Sequence, residues 1–377
     1  MGEESQALTF YVKRALPDDE SIIRSLLRST PMQGAIHIRL QREPDANLAA
    51  KVEGLKHHSV FVINLEGIPV GMGSRSVRRV YINGQVKQLG YLSQLRAAPG
   101  RRGIKRLRAG FAGIKQLHGK DELPYDYTTI IADNLAAKRL LERGIQGLPR
   151  YYPLARLSTF IIPTAKRADS LQTDIECAEA EDIPAITSCL QHYSSRYQLA
   201  PYWDADTLTD PQRCNNLRPQ DFLIIRDGKK VTDCLAIWDQ RGFKQVVIET
   251  YAKPIRFARP LLNIMLAALS KPRLPKAPCV LKMAYLSHLA VKDDDPGNFK
   301  SLIQSARIIA GNKGLDYVAL GLTDSHPLRR VMCSSVPHYR YDSNIYSVHW
   351  GNPEDIDKDE TAHAIRQGPI HIETALL

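Results

Sequence analysis

Two arginines and a glycine that could hold an anion stand together at Arg101-Arg102-Gly103, directly ahead of the run Ile104-Lys105-Arg106-Leu107. From Ile104 the apolar residues recur at Leu107, Phe111, Ile114 and Leu117, spacings of 3, 4, 3 and 3 that draw one stripe along a helix. The unpaired N–H groups and positive dipole end of that helix would lie among several cationic side chains, a seat for a phosphate or pyrophosphate. Before the turn, residues 90–96 read as a buried strand that ends on Leu95 and Arg96 and is closed by Pro99-Gly100.

Charge singles out the same place. The chain of 377 residues carries 51 Lys and Arg against 40 Asp and Glu. Residues 1–170 hold 27 basic and 15 acidic residues, so the excess lies in the first half. Between Ile68 and Lys120 there are twelve basic residues and no acidic one. A field of one sign over one segment bears on partners rather than on fold. It calls for a polyanionic small molecule, a nucleic acid or an acidic membrane surface.

At 44% hydrophobic residues the chain can build about two or three well-cored domains. It has no run of 18 apolar residues, and its start at Met1-Gly2-Glu3-Glu4 is acidic, so neither a membrane span nor a signal peptide is expected. Gln6 stands where an N-myristoylation site would carry Ser or Thr. The six cysteines follow residue 170 without a C-x-x-C pair and read as reduced thiols of a cytoplasmic protein. The eleven histidines form no spaced cluster, and no metal is expected.

Several elements must position the turn. Residues 9–14 read as a strand, and the stretch after Pro17, with Ile22, Ile23, Leu26 and Leu27 on one face, as a helix. Residues 33–53 read as a loop with a short helix. Residues 60–64 and 70–74 form one hairpin; 77–82 and 86–95, joined by Asn83-Gly84, form the next. Residues 127–132 are a second buried strand, parallel to the first because a helix separates them. Asp133-Asn134 caps a helix with Ala137, Leu140 and Leu141 on its apolar face, ended by Gly144. Residues 148–153 form a turn holding Tyr151 and Tyr152, and 158–162 a last strand.

This order, with Leu95-Arg96-Ala97-Ala98-Pro99 and Arg102-Gly103 in the turn and Asn134-x-x-Ala137-x-x-Leu140 with Gly144 in the second helix, resembles the GNAT superfamily of N-acetyltransferases over residues 9–163. The resemblance implies that Leu95, Arg96 and Ala97 follow the pantetheine of an acyl-CoA. It assigns Arg101, Arg102, Gly103, Ile104, Lys105, Arg106 and Leu107 to the pyrophosphate end, with Asn134 and Ala137 beside the cofactor. It also implies direct attack of an amine on the thioester, with one group to deprotonate the amine and another to protonate the leaving thiolate. The chain departs from the pattern in two places. Lys105 and Leu107 replace later glycines of the family turn, and Leu141 stands where a tyrosine often protonates the thiolate. Tyr151 or Tyr152 is the substitute; Asp133 is a candidate base, with a helix cap as its ordinary role.

The second half repeats the first. Residues 174–186 echo 11–19, residues 222–228 match 61–67, residues 285–289 match 91–95, and 316–324 match 126–133. The expected organisation is an N-terminal GNAT domain at 1–165, a degenerate GNAT-like domain at 172–350, and an acidic tail at 351–377 with a possible last strand. The fold class is α/β (α+β), each domain a mixed, mostly antiparallel sheet with a central parallel strand pair flanked by helices. In the second copy Lys292-Asp293-Asp294-Asp295 replaces the cationic turn. Three carboxylates satisfy the helix dipole themselves and repel phosphate, so the first copy alone is expected to bind the cofactor.

The activity implied is transfer of an acyl group, acetyl above all, from acyl-CoA to a primary amine of a small molecule or peptide. Two alternatives stay open. A Fem-type aminoacyltransferase would draw on charged tRNA and lay its basic half on the RNA backbone. A CoA-binding scaffold would bind without turnover.

Overall fold

The computed structural model describes residues 10–30, 36–98, 103–165, 174–269, 273–351 and 360–377. The joint expected at 163–172 and the acidic stretch 353–360 fall largely outside the described residues.

The first half runs β1 (Phe10–Arg14), α1 (Glu20–Ser29), β2 (Ile36–Gln41), α2 (Ala46–Glu53), β3 (Lys56–Asn64), β4 (Pro69–Ile82), β5 (Gln85–Ala97), α3 (Ile104–Lys115), β6 (Tyr125–Ile131), α4 (Leu135–Leu141) and β7 (Arg150–Pro163). The second runs β8 (Glu176–Cys177), α5 (Ile183–Ser194), α6 (Ala205–Thr209), β9 (Phe222–Asp227), β10 (Lys230–Trp238), β11 (Gln245–Tyr251), α7 (Lys253–Ala268), β12 (Cys279–Val280), β13 (Met283–Ala290), α8 (Pro296–Asn312), β14 (Tyr317–Thr323), α9 (Leu328–Ser335), β15 (Tyr339–His349) and α10 (Glu360–Gln367).

Twelve of these strands form one sheet, in the order β1-β3-β4-β5-β6-β15-β7-β14-β13-β10-β9-β8. Read inward from either end it is the same half-sheet twice, with the last strands exchanged. β15 pairs with β6 of the first half, and β7 pairs with β14 of the second. Parting the halves would bare the edges of both sheets, so the exchange binds them into one body. A small second sheet, β12-β11-β2, ties them again.

Local details repeat with the strands. Asp19 accepts from Leu16 N, and Asp182 from Glu179 N, each at 2.9 Å ahead of the first helix of its half. Gly67 and Gly228 both turn their hairpins with positive φ. Gln94 (φ 54°) and His288 (φ 53°) occupy matching positions in β5 and β13. The parallel ladders refine one match: Tyr91 pairs with Tyr127 and Tyr285 with Ala319, so Tyr127 corresponds to Ala319 rather than to Tyr317.

Four expectations change. The stretch 33–53 contains a strand, β2, whose partner β11 lies some two hundred residues on, beyond the reach of any local signal. The two hairpins share one continuous strand, β4. The turn expected at 148–153 is the beginning of β7. Residues 369–377 supply a single bridge, Gln198 to Ile370, and a short 3-10 turn at Thr374–Leu376 in place of a strand.

Candidate active site

β5 and β6 pair over three positions only, Gly90 to Leu92, and then diverge. The root of the splay is tightly fixed. A Cβ at Gly90 would lie 1.9 Å from Asp126 Oδ1. Asp126 in turn accepts from Arg75 Nε (2.9 Å) and Trp350 Nε1 (2.8 Å), and His118 Nε2 lies 2.9 Å from it. Arg75 also donates to Glu122 Oε2 at 2.6 Å. Thr128 Oγ1 donates to Leu92 O (2.7 Å) across the last paired step. Beyond it, the register between β4 and β5 shifts and Gln94 takes its positive φ, a bulge that turns the backbone and ends the pairing. The opened strand leads toward α3, whose N-cap is Gly103, without a side-chain cap.

The second copy has the same splay and has closed it. β13 and β14 diverge after Tyr285, and His288 marks the bulge. There His288 N donates to Glu373 Oε2 at 2.9 Å. Thr374 sits over Gly321, where a Cβ would lie 1.8 Å from its Oγ1. The start of α8 is capped by Asp295, which accepts from Asn298 N at 2.7 Å. Asp294 is held by the hydroxyls of Tyr193 and Tyr197, each at 3.0 Å. The outcome is plain in one pair of equivalent residues: Leu95 is 41% exposed and Leu289 is 3% exposed.

A buried polar centre lies against the face of β4 opposite Arg75. Glu53 pairs with Arg42 (2.7 Å), and His57 Nδ1 stands 3.6 Å from its other oxygen. Gln94 Nε2 donates to Glu53 Oε2 at 3.3 Å, which brings the pair up to the β5 bulge. Arg78 donates to Glu53 O (2.6 Å), to the Tyr127 hydroxyl (2.9 Å) and to Leu376 O. Lys244 donates to Ala375 O at 2.9 Å and Leu377 O at 2.5 Å.

Burial and neighbours set the charge states. Burial pushes the Glu53 carboxyl up, but Arg42, His57 and Lys244 outweigh it and hold it at about 2. Burial lowers His57, against the pull of Glu53, and favours the neutral imidazole. Burial raises Glu373 to about 7 and lowers Lys244 to about 7.

A pH signature follows for Glu373. Its folded pKa lies above the ordinary 4.5, so the folded chain holds the extra proton between the two values. Its stabilising contribution is complete below pH 4.5 and lost as pH rises through 7. Chemical denaturation from pH 4.5 to 8 should show wild type losing roughly 2–3 kcal/mol relative to Glu373→Gln. Parallel pH curves for the two proteins would contradict the buried, proton-holding carboxyl.

The expected cofactor residues fall in three groups. Leu95, Arg96 and Ala97 line the opened end of β5; Leu95 and Ala97 are exposed, and Arg96 donates to Leu95 O at 3.1 Å. Gly103, Ile104, Lys105 and Leu107 form the cap and first turn of α3, with Lys105 exposed. Arg106 is buried and donates to Val70 O at 3.0 Å, so it anchors α3 to β4. Arg101 and Arg102 lie outside the described residues. Asn134 accepts from Ala137 N at 3.2 Å and is the cap of α4; Asp133 is exposed beside it and does not serve as the cap.

The two tyrosines do not share a site. Tyr151 packs against Phe111 and Tyr346, while Tyr152 meets His349 and the Arg366 guanidinium. Adjacent strand residues point to opposite faces, which explains the split. The described cations of the acid-free segment divide: Lys105, Arg108, Lys115 and Lys120 are exposed, and others are not. Arg75 is buried and ion-paired, Arg78 is buried and hydrogen-bonded, and Arg79 holds Asp204 at 2.8 Å. Glu53, His57, Arg78, Lys244 and Glu373 carried no local signal: they come from five elements or turns that meet only in the folded chain.

Two half-sheets with a splayed parallel pair, a bulge and a helix start at each splay define a duplicated GNAT fold, and this chain has it. No protein-family model matches the sequence, and no curated protein matches it. Solved structures do match. Saccharomyces cerevisiae N-myristoyltransferase with bound myristoyl-CoA aligns over 99% of this chain and 91% of its own at 14% identity, with a TM-score of 0.60. The GCN5-related glucosamine N-acetyltransferase region of a fungal multi-domain GH3 β-N-acetylglucosaminidase aligns over 92% of this chain and 39% of that one, at 12% identity and a TM-score of 0.59. A GCN5-related N-acetyltransferase from Sphaerobacter thermophilus aligns over 90% and 95% at 13% identity, with a TM-score of 0.50.

Proposed function

We propose that the protein transfers an acyl group from acyl-CoA to an amine, and that its first copy carries the site. The contrast between the two splays carries this reading: the second is filled by residues 373–376, whereas the first leaves Leu95 41% exposed. The chain offers its own stand-in for the substrate. In the second copy a carboxyl oxygen of Glu373 accepts the N–H of the bulge residue, and the equivalent N–H, that of Gln94, suits a thioester carbonyl. Leu95 to Ala97 then follow the pantetheine. Arg101, Arg102, Lys105 and the N–H groups at the start of α3 meet the pyrophosphate.

In the reaction the amine nitrogen forms a bond to the thioester carbon, the C–S bond breaks, and the thiolate leaves to be protonated. The amine proton needs a base. His57, neutral through burial and linked to the bulge through Glu53 and Gln94, is the candidate to take it, and the Glu53 carboxylate would stabilise the imidazolium that forms. Tyr151, packed against Phe111 of α3, is the candidate donor to the thiolate.

The acyl chain and the acceptor are to be read from turnover. Release of free CoA should be followed with acetyl-CoA and with myristoyl-CoA, each against primary amines and peptides with free amino termini. Amine-dependent release with either donor is the expected result. Absence of release with every donor and amine, together with absence of binding, would sink the proposal. A charged tRNA as donor is the weaker reading, since Arg75, Arg78 and Arg106 of the basic half are buried and engaged within the protein.

A further inference from the structure

Helix α7 carries an apolar stripe that the described residues leave largely exposed. Every residue of the helix is exposed or half-buried. Phe257, Leu261 and Ile264 are 76%, 72% and 69% exposed, and Met265 and Leu269 are more than half exposed. Their spacing of i, i+4, i+7, i+8 and i+12 places them on one face. Ile255, Leu262 and Leu266 stand on the other, half-buried side. A helix that is apolar all round is ordinarily covered on both sides.

Charge says what covers this one. Between Glu249 and Asp293 the sequence holds eight Lys and Arg and no acidic residue. Lys253 and Arg256 are exposed at the start of the stripe. Asn263 exchanges hydrogen bonds with Leu274 (2.7 and 3.0 Å), which lays the exposed Arg273 and Lys276 alongside the helix. A second copy of the chain would bring the same cationic rim against itself. An anionic lipid surface accepts both the apolar face and the rim.

We propose that α7 seats the protein on an anionic bilayer, its apolar stripe among the acyl chains and Lys253, Arg256, Arg273 and Lys276 at the headgroups. The helix has 16 residues, short of the roughly 20 that a crossing needs. Among the described residues no helix is long and apolar enough to cross a membrane. α7 therefore lies in the interface rather than spanning it. The inference is independent of acyl transfer.

The test is co-sedimentation of the full chain with phosphatidylcholine vesicles, with and without about 30 mol% phosphatidylserine. The chain should pellet with the anionic vesicles, less so at high salt. Phe257→Ser with Leu261→Ser should abolish pelleting while leaving the unfolding temperature unchanged, and Ile264→Ser with Met265→Ser serves as an independent pair. Lys253→Gln with Arg256→Gln should weaken the anionic partition by about fivefold per charge. Failure to pellet with anionic vesicles overturns the proposal, as does pelleting that all three double variants leave intact. Concentration-dependent dimerisation by light scattering, lost in the serine variants and unaccompanied by vesicle binding, would assign the face to a second copy instead.

Discussion

Arg75→Leu is expected to lower the stability of the whole chain by about 3–5 kcal/mol. Arg75 is 1% exposed and holds two buried carboxylates, Asp126 at 2.9 Å and Glu122 at 2.6 Å. Leucine fills much of the space but leaves both carboxylates without this counter-charge, and that desolvated charge is the cost. Because the sheet is continuous through β7 and β15, the halves should unfold together, with the midpoint falling by about 4–6 °C. Arg79→Leu is the internal control. Its partner Asp204 is part-exposed, and such a pair contributes about 1 kcal/mol or less. Equal small losses at the two positions would show that Arg75 does not pin the root of the splay.

The second large effect is on the chemical step. His57→Gln should reduce kcat by about 10²–10⁴-fold while leaving acyl-CoA affinity nearly unchanged. Glutamine keeps the polar contact with Ser76, 2.8 Å from His57 Nδ1, but cannot take a proton. A purely structural role would move the unfolding temperature instead. The pH profile separates the two further: burial lowers the His57 pKa, so the acid limb of kcat/KM should fall below the ordinary histidine range and vanish in the variant. A variant that keeps kcat within about threefold would remove His57 from the proposed mechanism.

Most of the fold was legible because its signals are local. Asn83-Gly84 marked a hairpin, and both residues do take positive φ. The stripe from Ile104 marked α3, and the matched segments at 91–95 and 285–289 marked the duplication that the paired bulges show. What the sequence left dark is what depends on distance along the chain. The exchange of β7 and β15 leaves no trace in either strand, because each is apolar enough to sit in either half. β2 alternates plainly, yet its partner stands in the other half.

The site was legible on the cofactor side and hidden on the acceptor side. Leu95 to Ala97 and Gly103 to Leu107 belong to one contiguous strand–turn–helix, so their meeting at the splay follows from order alone. Glu53, His57 and Lys244 meet through tertiary packing, and in sequence each looks like a surface charge. Three of the twelve cations between Ile68 and Lys120 misled in the opposite sense. Arg75, Arg78 and Arg106 are buried, two of them satisfying buried oxygens of β6 and the loop before it and the third holding a helix to the sheet.

Calorimetric titration of the full chain with an acyl-CoA tests the central claim most directly. An open first splay and a filled second one predict a single site per chain, weakened by about tenfold or more in Arg102→Ala and unaffected by Leu289→Ala. Two equivalent sites, or no binding of either acetyl-CoA or myristoyl-CoA, would contradict it.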